Sequence, residues 1–404
     1  MSLDFLKERG IPVDAQRLSW RDMVREPISK LDDDAFTRVR IILMNGIESE
    51  QLRFLHACAR LQPELRVELA RIRRIDQHQQ TAVNWMVGAD HSPLETTIGY
   101  EQVAVEVTAA IARNEPDAYL AQVHRFGLLE DFDHLYRFSA LMDRLEGKDA
   151  NNIIQSYTDI LPGRPTSVEH RAPEDDVRRP YDKATADPLT KLHALTLVAA
   201  ENQTHDYYMT IGPMFADPLA RQLYAEIASI EEQHVTQYES IVDPTETWLE
   251  KWLMKELTEI YLYWSCAESE SDPRLKQLWT QFVDFEIGQL HYVKKLFEKL
   301  DKRDPLELLP EKLREPLPFA SNRDFVKETL MAEVDYRAVG TEIGPLSDSE
   351  QTLAYREALH RHGAPSDRVA KGYRFTAGTE LTTKSSNGAS PGEAKSKTRK
   401  EARS

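Results

Sequence analysis

The chain contains 404 residues, of which 41% are hydrophobic and 29% are charged, and its formal net charge at pH 7 is −16. This acidic balance argues against a nucleic-acid-binding protein, because a phosphate-binding surface needs a basic patch. The only two cysteines, Cys58 and Cys266, are too few for a disulfide framework or a thiolate metal site.

The N-terminal residues predict a polar lead rather than a targeting segment. Residues 1–34 carry acidic side chains and lack the apolar stretch that is typical of a signal peptide. The chain has no run of about 18 apolar residues, so no membrane-spanning helix is expected. These features predict a cytoplasmic protein that binds neither nucleic acid nor membrane.

Long stretches without Gly or Pro predict an all-α fold, since only 16 residues are Gly. Apolar residues at helical spacing divide these stretches into helical hairpins. The predicted segments are a lead at 1–34, a helical hairpin at 35–92, a helical region at 93–300 that includes a crossover at 158–188 and an additional hairpin at 245–300, a C-terminal helical extension at 301–375, and a tail at 376–404.

Proline positions indicate where the helices begin. Asp187, Asp217 and Asp272 each precede a proline, a pair that is typical of a helix cap followed by the first helical residue. Pro116 is likewise predicted in the first turn of a helix. The crossover contains five prolines and mixed charges, which predict a linker without packed structure. The tail is polar and low in complexity, which predicts disorder.

Two of the predicted hairpins carry the same pattern of charged residues. Each has a Glu followed thirty residues later by a carboxylate, with a His three residues beyond it. The six residues are Glu101, Asp131 and His134 in the first hairpin, and Glu201, Glu231 and His234 in the second. Roughly two carboxylate-x-x-His pairs are expected by chance in this composition. Glu357 and His360 form a third, which we interpret as coincidental.

The six residues stand out because they lie on helix faces that are otherwise apolar. Residues spaced three, four and seven apart share one face of a helix. A charge on such a core-facing stripe is costly unless it is paired or bound to metal. Four carboxylates and two neutral imidazoles balance two divalent cations, and an oxygen-rich set without thiolates suits Fe or Mn better than Cu or structural Zn.

The pattern also recurs in weaker form at an interval of about 55 residues. Glu256 and Glu286 match Glu201 and Glu231, but Gln289 stands at the histidine position. In the first hairpin the corresponding residues are Glu48 and His78, with Ile75 where the carboxylate is expected. These outer residues are either remnants of the repeat held by hydrogen bonds or a second, weaker metal site.

The six-residue pattern resembles the ligand pattern of the ferritin-like superfamily, and in particular of rubrerythrin-type proteins. The resemblance covers about residues 95–242 and implies an antiparallel four-helix bundle with a dinuclear iron or manganese centre. Centres of this family reduce peroxides, oxidise iron or activate oxygen. The chain departs from the family in three ways: it has no Cys-x-x-Cys module for electron transfer, Asp131 replaces a Glu, and the crossover is long.

We therefore expect a dimetal oxidoreductase that contains two Fe ions, or alternatively Mn, acts on peroxide or dioxygen, and needs an external electron donor. A homodimer is compatible with this expectation. The alternative function is a non-catalytic, iron-storage-like helical scaffold. An architectural alternative is two tandem bundles, in which His134 and His234 lie more than about 15 Å apart and share no dimetal centre.

Overall fold

The computed structural model describes residues 2–375, so the predicted disordered tail at 376–404 lies outside the described residues. This part of the chain is mostly helical, with a single short strand pair, which confirms the all-α class. Its helices are α1 (Trp20–Met23), α2 (Ala35–Leu61), α3 (Arg66–Asn84), α4 (Pro93–Asn114), α5 (Ala118–Glu146), α6 (Asn151–Ile154), α7 (Pro188–Ile211), α8 (Pro218–Ser240), α9 (Trp248–Ser269), α10 (Pro273–Leu300), α11 (Arg323–Glu333), α12 (Glu350–His360) and α13 (Pro365–Ala370). One antiparallel strand pair, β1 (Arg337–Val339) and β2 (Glu342–Gly344), accompanies them.

The Asp-Pro pairs begin helices as predicted. The carboxylates of Asp187, Asp217 and Asp272 accept backbone N–H groups at the starts of α7, α8 and α10. Each following proline occupies the first helical position, where its missing N–H is not needed. The prediction for Pro116 was wrong, because α5 begins after the capping residue Asp117.

The eight long helices pack as two groups of four. Consecutive helices pair most extensively, as α2 with α3, α4 with α5, α7 with α8, and α9 with α10. Helices α4, α5, α7 and α8 contact one another and form what we call the first quartet. Helices α2, α3, α9 and α10 form the second quartet. The two quartets contact each other mainly through α2 and α7. In chain order, α2 and α3 belong to the second quartet, α4, α5, α7 and α8 form the first, and α9 and α10 belong again to the second.

The crossover between α5 and α7 packs against the first quartet, so the prediction of an unpacked linker was wrong. Arg164, Glu169, Arg171 and Arg178 are all at most 3% exposed. Two short 3-10 turns, Thr166–Val168 and Pro173–Asp175, shape the segment. Prolines and charges led to the prediction of a linker, but these charges are paired with partners inside the fold.

The C-terminal helices close one side of the first quartet. Helix α13 packs on both α5 and α8, and α11 contacts α4 and α5. The predicted extension at 301–375 is thus built from three helices and the strand pair. Among residues 2–375, no helix is both long and apolar enough to cross a membrane.

Candidate metal centre

The first quartet brings all six predicted residues together in its interior. Their side chains form two groups of potential ligands, and the ligand atoms of each group lie within 4.8 Å of one another. One group contains Asp131, Glu201, Glu231 and His234. The other contains Glu101, His134 and Glu231. Every one of the six is at most 1% exposed.

Glu231 belongs to both groups and links the two histidines. Its Oε1 lies 3.1 Å from Nδ1 of His134, and its Oε2 lies 3.4 Å from Nδ1 of His234. Nδ1 of His234 also lies 3.3 Å from Oδ1 of Asp131 and 3.7 Å from Oε2 of Glu201. The ring centroids of the histidines are 6.0 Å apart, which excludes the tandem arrangement with its separation above about 15 Å.

The atoms that face the centre are not satisfied by hydrogen bonds. Buried polar atoms in proteins nearly always have a partner. Within the described part of the chain, eight nitrogen and oxygen atoms of the six residues have none. They are Oε2 of Glu101, both carboxylate oxygens of Asp131 and of Glu201, Oε2 of Glu231, and Nδ1 of His134 and His234. A cluster of unsatisfied ligand atoms at one buried point is the arrangement that metal ions require.

The outward ring nitrogens of the histidines are each held by a further carboxylate. Nε2 of His134 lies 2.8 Å from Oε2 of Glu169, and Nε2 of His234 lies 2.8 Å from Oε2 of Glu130. Such contacts fix the tautomer and ring orientation of a metal-binding histidine. The sequence did not indicate either partner, since Glu169 lies in the presumed linker and no spacing distinguishes Glu130 from other acidic residues.

Two arginines of the crossover balance the charge of Glu130. Arg171 donates to Oε1 of Glu130, and Nη1 of Arg164 lies 3.2 Å from the same oxygen. Burial would raise the pKa of Glu130, but the two guanidinium groups and His234 hold it well below its usual range. The crossover therefore supplies the positive charge that keeps this buried carboxylate ionised.

The inner residues have strongly shifted pKa values in the absence of metal. Burial raises the pKa of Glu101 and Glu201 well above the usual range, and raises that of Asp131 as well. Burial alone would lower the pKa of His134, but Glu169 and Glu231 outweigh it and hold that pKa well above its ordinary value. The environment therefore favours the protonated forms of these four side chains, so a cation that binds them displaces protons.

A tyrosine from α7 completes the contacts of Glu101. The Tyr208 hydroxyl donates to Oε1 of Glu101, which leaves Oε2 directed to the centre without a described partner. Tyr238 lies near the other histidine, with its ring centroid 6.5 Å from that of His234. Both tyrosines are at most 1% exposed, so the centre is lined by buried side chains on these two sides.

The second quartet contains a related buried cluster without histidine. Its carboxylates are Glu48, Asp76, Glu256, Glu259 and Glu286, all at most 2% exposed. Ligand oxygens of Glu256, Glu259 and Glu286 lie within 4.8 Å of one another. Gln79, not the predicted His78, donates to both Glu48 and Glu286. His78 is only partly buried and lies outside these contacts.

The two clusters match residue by residue once the first hairpin is aligned correctly. Asp76 and Gln79 lie 55 positions before Asp131 and His134. The Tyr263 hydroxyl donates to Glu48, as that of Tyr208 does to Glu101. The assignment of Ile75 to the carboxylate position was wrong by one residue, because it was counted three residues back from His78, whereas the residue that aligns with His134 is Gln79.

Comparisons with known proteins give no independent indication of function. No protein-family model, curated protein or solved structure matches this chain.

Proposed function

We propose that the chain is a non-haem dimetal carboxylate protein that holds two iron or manganese ions and acts as an oxidoreductase on peroxide or dioxygen. In this proposal helices α4, α5, α7 and α8 form a ferritin-like antiparallel four-helix bundle of the rubrerythrin type. The ligands are the six residues of the two groups, with Glu231 between the two ions.

The observation that carries this proposal is the set of eight unsatisfied ligand atoms. A buried carboxylate that lacks hydrogen-bond partners costs free energy. Within residues 2–375, six side chains from four helices direct such atoms at one point. The outward atoms of His134 and His234 are satisfied, so the pattern separates an inner face that needs a ligand from an outer face that does not.

The composition of the set favours iron or manganese. Four carboxylates and two imidazoles provide hard oxygen ligands with one nitrogen for each ion and no sulfur. Two divalent cations match the charge of four carboxylates. When bound, such ions supply one-electron redox chemistry towards dioxygen or peroxide. The protein's part is to hold the ligands, to keep the rings of His134 and His234 oriented through Glu169 and Glu130, and to exclude water.

Electron supply is expected to come from another molecule. The described residues include two free, buried cysteines, Cys58 and Cys266. Neither is placed to form the thiolate pair of a rubredoxin-like module. An external donor therefore belongs to the proposal for a catalytic role.

Metal counting on the purified chain tests the proposal directly. After loading with Fe²⁺ or Mn²⁺ and removal of free ions, we expect two bound ions per chain. The His234→Ala variant should lose at least one of them. His205→Ala provides the control, because His205 lies on α7 near Glu201 but is only partly buried and outside both ligand groups. A wild-type chain that retains no more metal than His234→Ala would contradict the proposal.

Peroxide and oxygen assays then separate catalysis from storage. The reduced, metal-loaded protein should consume hydrogen peroxide or dioxygen over many turnovers when a reductant is supplied. Consumption that stops at the amount of bound metal would instead favour the non-catalytic, storage-like scaffold.

The contact between His134 and Glu169 predicts that replacing Glu169 lowers metal affinity, but by less than replacing one of the six ligands does. Replacing Glu169 by Gln keeps the shape of the side chain but removes its charge, so that the His134 ring faces a neutral amide instead of a carboxylate. We expect affinity for Fe²⁺ or Mn²⁺ to fall about 10- to 100-fold, as is usual when such a partner is lost. Competition with a chelator of known affinity measures the change. The partly exposed Glu174 of the same crossover serves as the control position, and its Gln variant should bind metal as the wild type does.

A further inference from the structure

A further group of potential ligands lies at a surface cavity and shares no residue with the buried centre. The cavity has a volume of 370 Å³ and lies between α8 and the segment around α12 and α13. His170, Glu226 and His360 line it, and their ligand atoms lie within 4.8 Å of one another. The three residues come from the crossover, from α8 and from the end of α12.

His170 is buried but is not satisfied by the protein. It is 2% exposed, and neither ring nitrogen has a hydrogen-bond partner among residues 2–375. Burial lowers the pKa of His170 to about 3, with the neighbouring His360 acting in the same direction. The imidazole is therefore neutral and keeps a lone pair available, which is the form that binds metal ions.

Glu226 is held in place by the backbone and side chain of Ser366. The Ser366 N–H lies 2.7 Å from Oε2 of Glu226, and its hydroxyl lies 3.1 Å from Oε1. Oε1 also lies 3.9 Å from Nε2 of His170, too far for a hydrogen bond. The carboxylate is thus fixed beside the imidazole without bonding to it.

His360 supplies the third group from the opposite wall. Its ring centroid is 5.1 Å from that of His170, in an edge-on arrangement. Its Nε2 has no hydrogen-bond partner in the described part of the chain. Ligand atoms about 2.0–2.1 Å from a tetrahedral ion lie about 3.4 Å from one another. The ligand atoms of the group lie within 4.8 Å of one another, and those of His170 and Glu226 are 3.9 Å apart, so binding of an ion would draw the three side chains closer together.

We propose that His170, Glu226 and His360 bind a single Zn²⁺ ion, with a coordination position open to the cavity. Two imidazoles and one carboxylate form a ligand set that zinc commonly uses when water or a substrate occupies the fourth position. The set differs from the buried centre, which is richer in carboxylates and fully enclosed. The proposed site also gives His360 a role. The Glu357-x-x-His360 spacing gives it none, because Glu357 is exposed and lies outside the ligand group.

One residue of this site is adjacent in sequence to a residue that contacts the buried centre. Glu169 and His170 are consecutive residues that point to different sites: Glu169 bonds to His134 of the buried centre, and His170 faces the cavity. The crossover thereby contributes one side chain to each site, although the two ligand sets share no residue.

Zinc and cobalt titrations of single variants of the full chain test this site. The wild type should bind one more Zn²⁺ per chain than His360→Ala. Co²⁺ should produce visible absorption of a low-coordinate site that is lost in both His360→Ala and His170→Ala. His362→Ala is the matched control, because His362 lines the same cavity but is exposed and outside the ligand group, and it should behave as the wild type.

The outcomes separate this site from the buried centre. Iron or manganese content should stay unchanged in His360→Ala, since this residue belongs to neither ligand group of the buried centre. Equal Zn²⁺ binding by the wild type and His360→Ala would overturn the proposal. Loss of Zn²⁺ only in His362→Ala would also overturn it, and would assign the ion to the exposed histidine.

Discussion

Replacing Glu231 by Ala is expected to abolish binding of both ions at the buried centre. Glu231 is the one residue common to the two ligand groups, and its two oxygens lie 3.1 and 3.4 Å from the two histidines. Removing it takes a ligand from each ion and leaves a cavity between them. Metal content after loading with Fe²⁺ or Mn²⁺ should fall from two ions per chain to near zero.

The Glu101→Ala variant should behave differently. Glu101 belongs only to the group that contains His134, so the ion bound by Asp131, Glu201 and His234 should remain. We expect one ion per chain in this variant. The comparison of the two variants therefore tests the bridging position of Glu231 and not merely its acidity.

Glu232→Ala is the matched control for Glu231→Ala. Glu232 is the next residue on α8, has the same chemistry, and is exposed. Its variant should bind two ions. Circular dichroism of each metal-free variant checks that the helices remain folded. If a folded Glu231→Ala variant keeps one ion, Glu231 ligates only one metal and the shared-carboxylate arrangement is wrong.

The approach of the six predicted residues to one another was largely predictable, because their positions obey local rules. A carboxylate and a histidine three residues apart lie on one helix face, and Asp-Pro pairs set where α7 and α8 begin. With the helix starts fixed, the ligand positions along each helix follow. Sequence alone did not establish that the two hairpins share one centre, since the tandem arrangement satisfies the same helical patterns.

The crossover shows why the outer contacts were not predictable. Its prolines and charges are typical of a solvent-exposed linker, and no periodicity marks Glu169 or Arg171 as buried. Their burial depends on partners distant in sequence, namely His134 and Glu130. Charges become interior residues when the fold supplies opposite charges, and that pairing is a tertiary property.

In the second quartet the sequence identified some of the buried residues, but the first hairpin was wrongly aligned. The prediction assigned His78 to the histidine position of the pattern, which placed the predicted pair Ile75 and His78 one residue before Asp76 and Gln79. The structure leaves this cluster rich in carboxylates, with Gln in place of both histidines. Because this cluster contains no imidazole, we expect protons to neutralise the charge of its carboxylates.

Asp76→Asn is expected to stabilise the metal-free protein increasingly as pH rises. Burial raises the pKa of Asp76 from 3.8 to about 8. Between pH 4 and pH 8 the folded chain therefore retains a proton that the unfolded chain has lost, so wild-type stability falls as pH rises through this window. Asparagine is neutral throughout and avoids this loss.

Urea unfolding in the presence of a chelator at pH 5 and pH 8 measures the effect. The free energy of unfolding of Asp76→Asn minus that of the wild type should grow by on the order of 2–4 kcal/mol between these pH values. Glu64→Gln is the control, since Glu64 is exposed just before α3 and its difference from the wild type should stay nearly constant. An equally constant difference for Asp76→Asn would show that Asp76 is ionised in the folded chain.

The same measurement with added Mn²⁺ decides between the two interpretations of this cluster. If protons neutralise it, Mn²⁺ should stabilise the wild type and Asp76→Asn by equal amounts, because both variants keep the buried centre of the first quartet intact. Extra stabilisation of the wild type at pH 8 would require a cation among Glu256, Glu259 and Glu286 that depends on the Asp76 charge. The clusters would then be two metal sites related by the repeat instead of one site and its proton-bearing counterpart.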